Sequence, residues 1–320
     1  MEHKKDGVLK TIFKSKEVSI FLICVLLSIL IEIKNPIFLT YNNIMDVLRN
    51  TSYTLIIAVG MTFVLIARGL DLSVGSMFAF GGLLAATMMT NGVPIILSVL
   101  IGLVVCTFLG AVNAFCIVKL KVPPMIATLG SMYMVRGLVL VLTKGQPVYP
   151  LPEAFAGFGK LKLVGVPCII IIAAIISIIA HWVLNRTTYG RSVYAVGGNP
   201  ETANYAGINV KWIIATCYMI SGALAALAGI LNAARMGSGQ PTVGDGTEMT
   251  VITAVIIGGV SLNGGAGSVL GTVLGTLLMN ILSTGMNLVG VSAYWQKFVM
   301  GLIIVIAVAF DQYQRSKKKE

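Results

Sequence analysis

Metal ligation and nucleophilic catalysis start from histidines and cysteines, and this chain of 320 residues has two of the first and five of the second. His3 lies in a basic N-terminal stretch and His181 near the end of an apolar run, and neither has a Cys or His partner at ligand spacing. Cys24, Cys106, Cys116, Cys168 and Cys217 all sit in apolar runs and are odd in number, which points to buried cysteines packing as small hydrophobes and not to a disulfide framework. No G-x-S-x-G, H-E-x-x-H or G-x-x-x-x-G-K-[ST] occurs, so the chain offers no nucleophile elbow, no zincin helix and no Walker cradle for phosphates. It is read as a non-enzyme with no catalytic, cofactor or metal site; if ATP drives it, another subunit binds the ATP. Proton- and ion-coupled carriers place carboxylates or histidines at membrane depth. The twelve acids here fall almost entirely at the ends of apolar runs or in loops, which disfavours secondary transport. Arg136 lies inside such a run, where snorkelling or pairing with carbonyls suits it better than direct contact with a solute.

The elements that carry these residues are membrane helices. Hydrophobic residues make up 57% of the chain and charged ones 11%, against about 45–50% and about 25% in soluble domains, so too little polar surface exists to face water. The expected fold is an all-α polytopic membrane protein with about ten transmembrane helices, over 18–33, 51–67, 74–90, 94–118, 124–143, 164–184, 212–234, 250–262, 268–284 and 291–310. The eighth is short and reads as broken or partly re-entrant, which a membrane tolerates where free backbone faces protein or water. Fifteen of the 23 lysines and arginines fall on the side of the N-terminus and seven on the other. The positive-inside rule then makes both termini cytoplasmic. Residues 1–17 and 311–320 are expected as basic cytoplasmic tails flanking a transmembrane domain at 18–310. The first run has no cleavage site and is read as a retained helix, not a signal peptide.

Thirty-five glycines imply close helix packing, with Gly267, Gly271 and Gly275 forming one stripe and Gly222, Ala226 and Gly229 a looser face. Gly69 to Gly75 (GLDLSVG) faintly echoes Gly259 to Gly265 (GVSLNGG), a sign of internal duplication. Asn113, Asn280 and Asn287 line a path or bond between helices. The long inner loop 185–211 holds Gly197, Gly198, Asn199 and Pro200 as a turn, from which Asn199 or Pro200 opens a short helix with Glu201 at its electropositive end and Gly207 as its stop. With Ala203 and Ala206 it is either a knob for another protein's groove or an ordinary surface turn. Outside, 143–163, with Pro147, Pro150, Pro152, Phe155 and Phe158, has the makings of a short amphipathic lid.

From about Asn35 to Phe310 the chain resembles the permease subunits of ribose-type sugar ABC importers, the family that also serves xylose, arabinose and galactosides. The resemblance rests on ordered blocks: 69–76 (GLDLSVGS), 123–130 (PPMIATLG), Arg136-Gly137 with 143–147 (TKGQP), 194–199 (YAVGGN), 206–208 (AGI), Gln240-Pro241 and 258–265 (GGVSLNGG). It implies a permease in the bacterial inner membrane that dimerises with itself or a paralogue, two separate ATP-binding cassette subunits beneath it, and an extracytoplasmic sugar-binding protein. Gly197, Gly198, Asn199, Glu201, Ala203, Ala206 and Gly207 then form the ATPase-coupling loop. Gly69, Asp71, Ser73 and Gly75, with Gly258, Gly259 and Asn263, lie near the translocation path. Lys160, Arg235, Asp245 and Glu248 are expected to receive the binding protein by charge. The chain departs from the family at Arg68, where a small residue or glycine is expected, and at Glu201-Thr-Ala203, which replaces Glu-Ala-Ala. A branched-chain amino-acid permease and a stand-alone carrier or channel are the alternatives.

Overall fold

A computed structural model describes residues 16–316. Among them the elements run α1 (Lys16–Lys34), α2 (Tyr41–Ile66), α3 (Val74–Thr90), α4 (Ile95–Val118), α5 (Pro124–Thr143), α6 (Glu153–Lys160), β1 (Lys162–Leu163), β2 (Val166–Pro167), α7 (Cys168–Arg186), α8 (Thr188–Gly198), α9 (Pro200–Tyr205), α10 (Val210–Met236), α11 (Thr247–Ile257), α12 (Val269–Leu288) and α13 (Ala293–Ser316). Helices α2, α4, α5, α7, α10 and α12 are long and apolar enough to cross a bilayer, so the chain is an all-α polytopic membrane protein. Each of the ten expected spans overlaps one helix. The expected basic tails fall mostly outside the described residues, and α13 remains helical to Ser316.

Three boundaries differ from expectation for local reasons. The sixth span starts at Cys168 because Val164 (φ 52°) and Gly165 (φ 82°) turn the chain between β1 and β2, the two positive-φ positions that a tight hairpin demands. Helix α2 begins ten residues before its apolar run and carries an Arg49–Asp46 ion pair on that extension. Helix α11 has 11 residues, about 16 Å, roughly half the hydrocarbon thickness, and stops at Gly258-Gly259. The broken reading of the eighth span therefore describes what is seen. The lid expected over 143–163 is α6, with Phe155 buried and Phe158 half exposed.

Helix α10 lies at the centre, packed on α2, α3 and α4. A Cβ on Gly222 would stand 2.4 Å from the Cys106 carbonyl, and one on Gly229 1.8 Å from that of Phe78. Small residues there let backbones touch, which is how helices associate where no hydrophobic force draws them together. The second stripe works likewise: Gly271 and Gly275 of α12 lie against Gly258 and Ala254 at the end of α11. Both small-residue faces are thus used inside one chain.

Between α2 and α3 the chain breaks over 67–73, and between α11 and α12 over 258–268, so the two echoing segments are both helix breaks. Arg68 opens the first with φ 65°, which explains the expectation of glycine there. A left-handed conformation costs an L side chain about 1–2 kcal/mol, and glycine returns about 0.5–1 kcal/mol of that as lost chain entropy. Arg68→Gly is expected to raise the thermal midpoint in detergent slightly; a lowered midpoint would show that the arginine stem contributes more than its strain costs.

Candidate functional site

Helix α9 forms as its sequence demands. The Asn199 side chain accepts from the backbone N–H of Glu201 at 3.0 Å and of Thr202 at 3.1 Å, Pro200 occupies the first turn, and Gly207 exits with φ 82°. Glu201, Ala206 and Gly207 are exposed while Ala203 is buried, so Ala203 packs inward and the outward face is Glu201, Asn204, Tyr205 and Ala206. Tyr205, 90% exposed, escaped the sequence reading although an aromatic beside a capped helix was there to be noticed. An open groove of about 680 Å³, bounded by Pro200, Glu201, Asn204, Gly207 and Lys211, runs beside it.

Helix α8 was missed altogether. Its signal was the cap: the Thr187 hydroxyl accepts from Gly190 N–H at 3.1 Å, just before the Val193 and Val196 that bury its inner face. Tyr189 binds it to α10 through Thr216, 2.8 Å away. At its far end Gly197 is wedged between the two helix breaks. A Cβ there would stand 1.7 Å from the Ile66 carbonyl and 2.6 Å from the Gly265 nitrogen, whereas one on Gly198 meets nothing within 4 Å. Gly265 N–H donates to the Ile66 carbonyl at 2.9 Å, and the Tyr194 hydroxyl to that of Gly267 at 2.9 Å. Burial pushes the Tyr194 phenol above its usual range. The exposed helix α9, α8 and both helix breaks therefore form one connected body.

The first break encloses a carboxylate. Asp71 is fully buried; its Oδ1 accepts from Ser73 N–H at 3.0 Å and from the Ser73 hydroxyl, and its Oδ2 accepts from the Ser221 hydroxyl at 2.8 Å. Asn113 donates to Ser73 Oγ at 3.0 Å, and Tyr218 both gives to and takes from the backbone of Leu70 at 3.2 Å. This cage joins α3, α4 and α10 around an acid without an ion-pair partner among the described residues. The sequence reading put Asp71 in a motif but not in the interior; its D-x-S spacing before an apolar run was the available clue. Gly69 fits under the Tyr218 hydroxyl.

Gly75 sits against Glu248, whose carboxylate would be 2.2 Å from a Cβ at that glycine. Arg136 donates to the carbonyls of Val243 at 2.9 Å, Pro241 at 3.0 Å and Gly75 at 3.4 Å, the carbonyl pairing expected of it. Asn113 and Asn287 bond between elements, Asn287 accepting from Gln296 of α13, whereas Asn280 bonds within its own helix. Of the second block, Gly258 and Gly259 end α11 and Asn263 is exposed at the loop tip. Of the charged residues expected to dock a binding protein, Lys160 and Asp245 are exposed and Arg235 half-buried. Glu248, 8% exposed, is turned inward.

Comparison with known proteins identifies this architecture. Residues 43–308 match the family described as branched-chain amino acid transport system / permease component. The ribose import permease protein RbsC of Haemophilus influenzae is 39% identical over 302 residues, 93% of this chain and 94% of that protein. The D-allose transport system permease protein AlsC of Escherichia coli is 35% identical over 94% and 93%, and the galactose/methyl galactoside import permease protein MglC of Haemophilus influenzae 34% over 93% and 94%. No solved structure gives a significant match. With a family match spanning all but the ends, and relatives aligned from one end of the bundle to the other, the chain belongs to the permease family of these transport systems.

Proposed function

We propose that this chain is the membrane-spanning permease subunit of an ATP-binding-cassette importer in the bacterial cytoplasmic membrane, translocating ribose or a related monosaccharide. The observation that carries the reading is the capped, outward-facing helix α9 on a chain whose full-length relatives are named for ribose, allose and galactoside import. The family description names branched-chain amino acids, but the full-length relatives cited here are named for sugars. The ten helices, with both termini cytoplasmic by the positive-inside tally, form the path as a dimer or with a paralogue. ATP hydrolysis occurs on separate subunits, and an extracytoplasmic binding protein delivers the sugar to the surface around Lys160, Arg235 and Asp245, with Glu248 held behind them.

Mechanically, α9 seats in a groove of the ATPase. When the ATPase dimer closes, a rigid displacement of α9 passes through α8 to Ile66 and to 264–267, where both helix breaks change their angle. Work is done because the ATPase binds α9 differently in its two states. Gly69, Gly258, Gly259 and Asn263 are the hinges that respond, while Asp71, Ser73 and Gly75 hold the start of α3 beside the path.

Co-purification in mild detergent followed by mass identification is expected to yield a subunit with a Walker A motif, whose companion binding protein reports the sugar by direct ligand binding. Flux in proteoliposomes without any ATPase would overturn the importer reading in favour of a carrier or channel. Glu201→Lys and Tyr205→Ala are expected to lower ATPase capture and uptake by about tenfold, the effect of removing one interface anchor, with the permease still folded in the membrane. Uptake unchanged in both would dissociate α9 from coupling.

A further inference from the structure

Between α10 and α11 the chain runs back into the bundle. Gly239 lies against Leu83 and Ala86 of α3, its backbone exchanging two hydrogen bonds of 2.9 Å with Val148, and Gly244 lies against Gly75 and Phe78. From Leu83 to Gly75 that is a descent of about 12 Å along α3, made in turns and not in a helix or strand. Gly75 is about 22 Å along α3 from its outer end at Thr90, and Ser221, whose hydroxyl donates to Asp71 just before α3, is about 16 Å along α10 from its inner end at Val210. Gly244 therefore lies deep within a core roughly 30 Å thick. The left-handed angles of Gly244 (φ 78°) and Gly246 (φ 76°) then turn the chain into α11.

Irregular backbone at this depth is tolerated only where protein buries it or water reaches it, and the segment has a side of each kind. Pro241, Gly244 and Glu248 are buried. Arg136 donates to the carbonyls of Pro241 at 3.0 Å and Val243 at 2.9 Å, so a guanidinium replaces the helix or strand partner that they lack. Thr242, Asp245 and Gly246 are exposed, and Asp245 has no ion-pair partner among the described residues. A carboxylate at membrane depth is too costly to face lipid and turns to a water-filled cavity or a bundle interior.

We propose that segment 239–246 is the mid-depth floor of the solute path, where the Asp245 carboxylate accepts hydrogen bonds from neighbouring hydroxyls of a polyhydroxylated solute and the Thr242 hydroxyl exchanges one with it. A carboxylate has two oxygens and only accepts, while each solute hydroxyl donates one proton, so adjacent hydroxyls match it in number and sense. The delivery surface around Lys160 and Arg235 continues inward to this floor. The nature of the solute rests on the importer reading; the water-filled lining does not.

The test has two arms. In the first, the full chain with its ATPase subunits is held in nanodiscs, where both faces meet a charged, membrane-impermeant maleimide, and the parent's labelling is subtracted. Thr242→Cys and Asp245→Cys are expected to react about tenfold faster than Val104→Cys, since thiol reactivity requires an accessible thiolate. Val104 is exposed on α4, the most apolar of the spanning helices, close to the Cys106 that meets the Met77 carbonyl. In the second arm, Asp245→Ala is expected to lower ATP-driven ribose uptake in proteoliposomes about tenfold, the factor for one hydrogen bond to a charged group, and Thr242→Val about fivefold, that for a neutral one. Sugar-loaded binding protein is expected to stimulate ATP hydrolysis in both variants as in the parent. Labelling at Thr242→Cys and Asp245→Cys no faster than at Val104→Cys overturns the proposal, as does parental uptake by Asp245→Ala. Loss of the stimulation in Asp245→Ala also overturns it, by making the residue a docking contact. Flux through the parent without any ATPase would overturn the importer reading instead, with the labelling pattern unchanged.

Discussion

Gly197→Val is expected to abolish coupled transport, and Gly198→Ala to transport as the parent chain does. The two glycines are adjacent and look interchangeable in sequence, but their surroundings are opposite. A Cβ on Gly197 would lie 1.7 Å from the Ile66 carbonyl oxygen, inside its van der Waals sphere, and 2.6 Å from the Gly265 nitrogen that donates to that carbonyl. Neither neighbour is the free end of a side chain; both are backbone, one the last turn of α2 and the other the break before α12. Accommodating valine must therefore separate α8 from both breaks and strain the Gly265–Ile66 hydrogen bond. Overpacking of this kind costs about 3 kcal/mol, equivalent to roughly a hundredfold in a rate that needs the junction intact. Gly198 faces open space, so its methyl costs nothing sterically. The measurement is sugar uptake and ATP hydrolysis in proteoliposomes holding permease, ATPase and binding protein. Gly197→Val is expected to leave the ATPase bound through α9 and hydrolysing ATP without uptake. Full uptake by the valine variant would mean that displacement reaches the membrane by another route.

That junction also marks where sequence reading stopped. Spans are legible because each carries its own evidence, a long apolar run between charged or turn-forming residues; 74–90 and 124–143 were read to the residue. Helix α9 was legible for the same reason, since a cap residue, a proline and a terminal glycine act within a few positions of one another. Helix α8 announces itself weakly: Thr187 caps it, but Gly190, Gly197 and Gly198 count against a helix in any local scale. Gly190 is there because Leu184 approaches it, and Gly197 because Ile66 and Gly265 do, the last two being parts of the chain far away in sequence. The buried Asp71 was hidden for a related reason. Its burial depends on Ser221 and Asn113, which are 150 and 42 positions away and have no local reason to point toward it. Glu248 likewise reads as a loop charge until Gly75 is known to lie beneath it.

The cage around Asp71 gives the second large effect. Asp71→Leu is expected to prevent stable folding of the permease, and Asp71→Asn to preserve both folding and uptake. Leucine would leave Ser73 N–H, the Ser73 hydroxyl and the Ser221 hydroxyl without their acceptor. Three donors stranded where Asp71, Ser73 and Ser221 are fully buried cost about 1–3 kcal/mol each, a large fraction of any domain's marginal stability. Asparagine keeps an oxygen for the two Ser73 donors, while its amide can donate to Ser221, whose hydroxyl accepts as readily as it gives. The pair of variants therefore separates two roles that one acid can have. An acid that carries protons or cations through the membrane fails when its charge is removed, even if every hydrogen bond survives. An acid that fastens α3 to α10 and, through Ser73 and Asn113, to α4 fails only when the bonds go. The geometry, three donors converging on one carboxylate with no cation beside it among the described residues, favours the fastening role, and an ATP-driven importer has no need of the other. Membrane expression and thermal midpoint measure the first arm, and uptake by Asp71→Asn with the proton gradient collapsed measures the second. Loss of uptake in a well-folded Asp71→Asn chain would assign the carboxylate a charge-carrying part in transport and reopen the carrier reading.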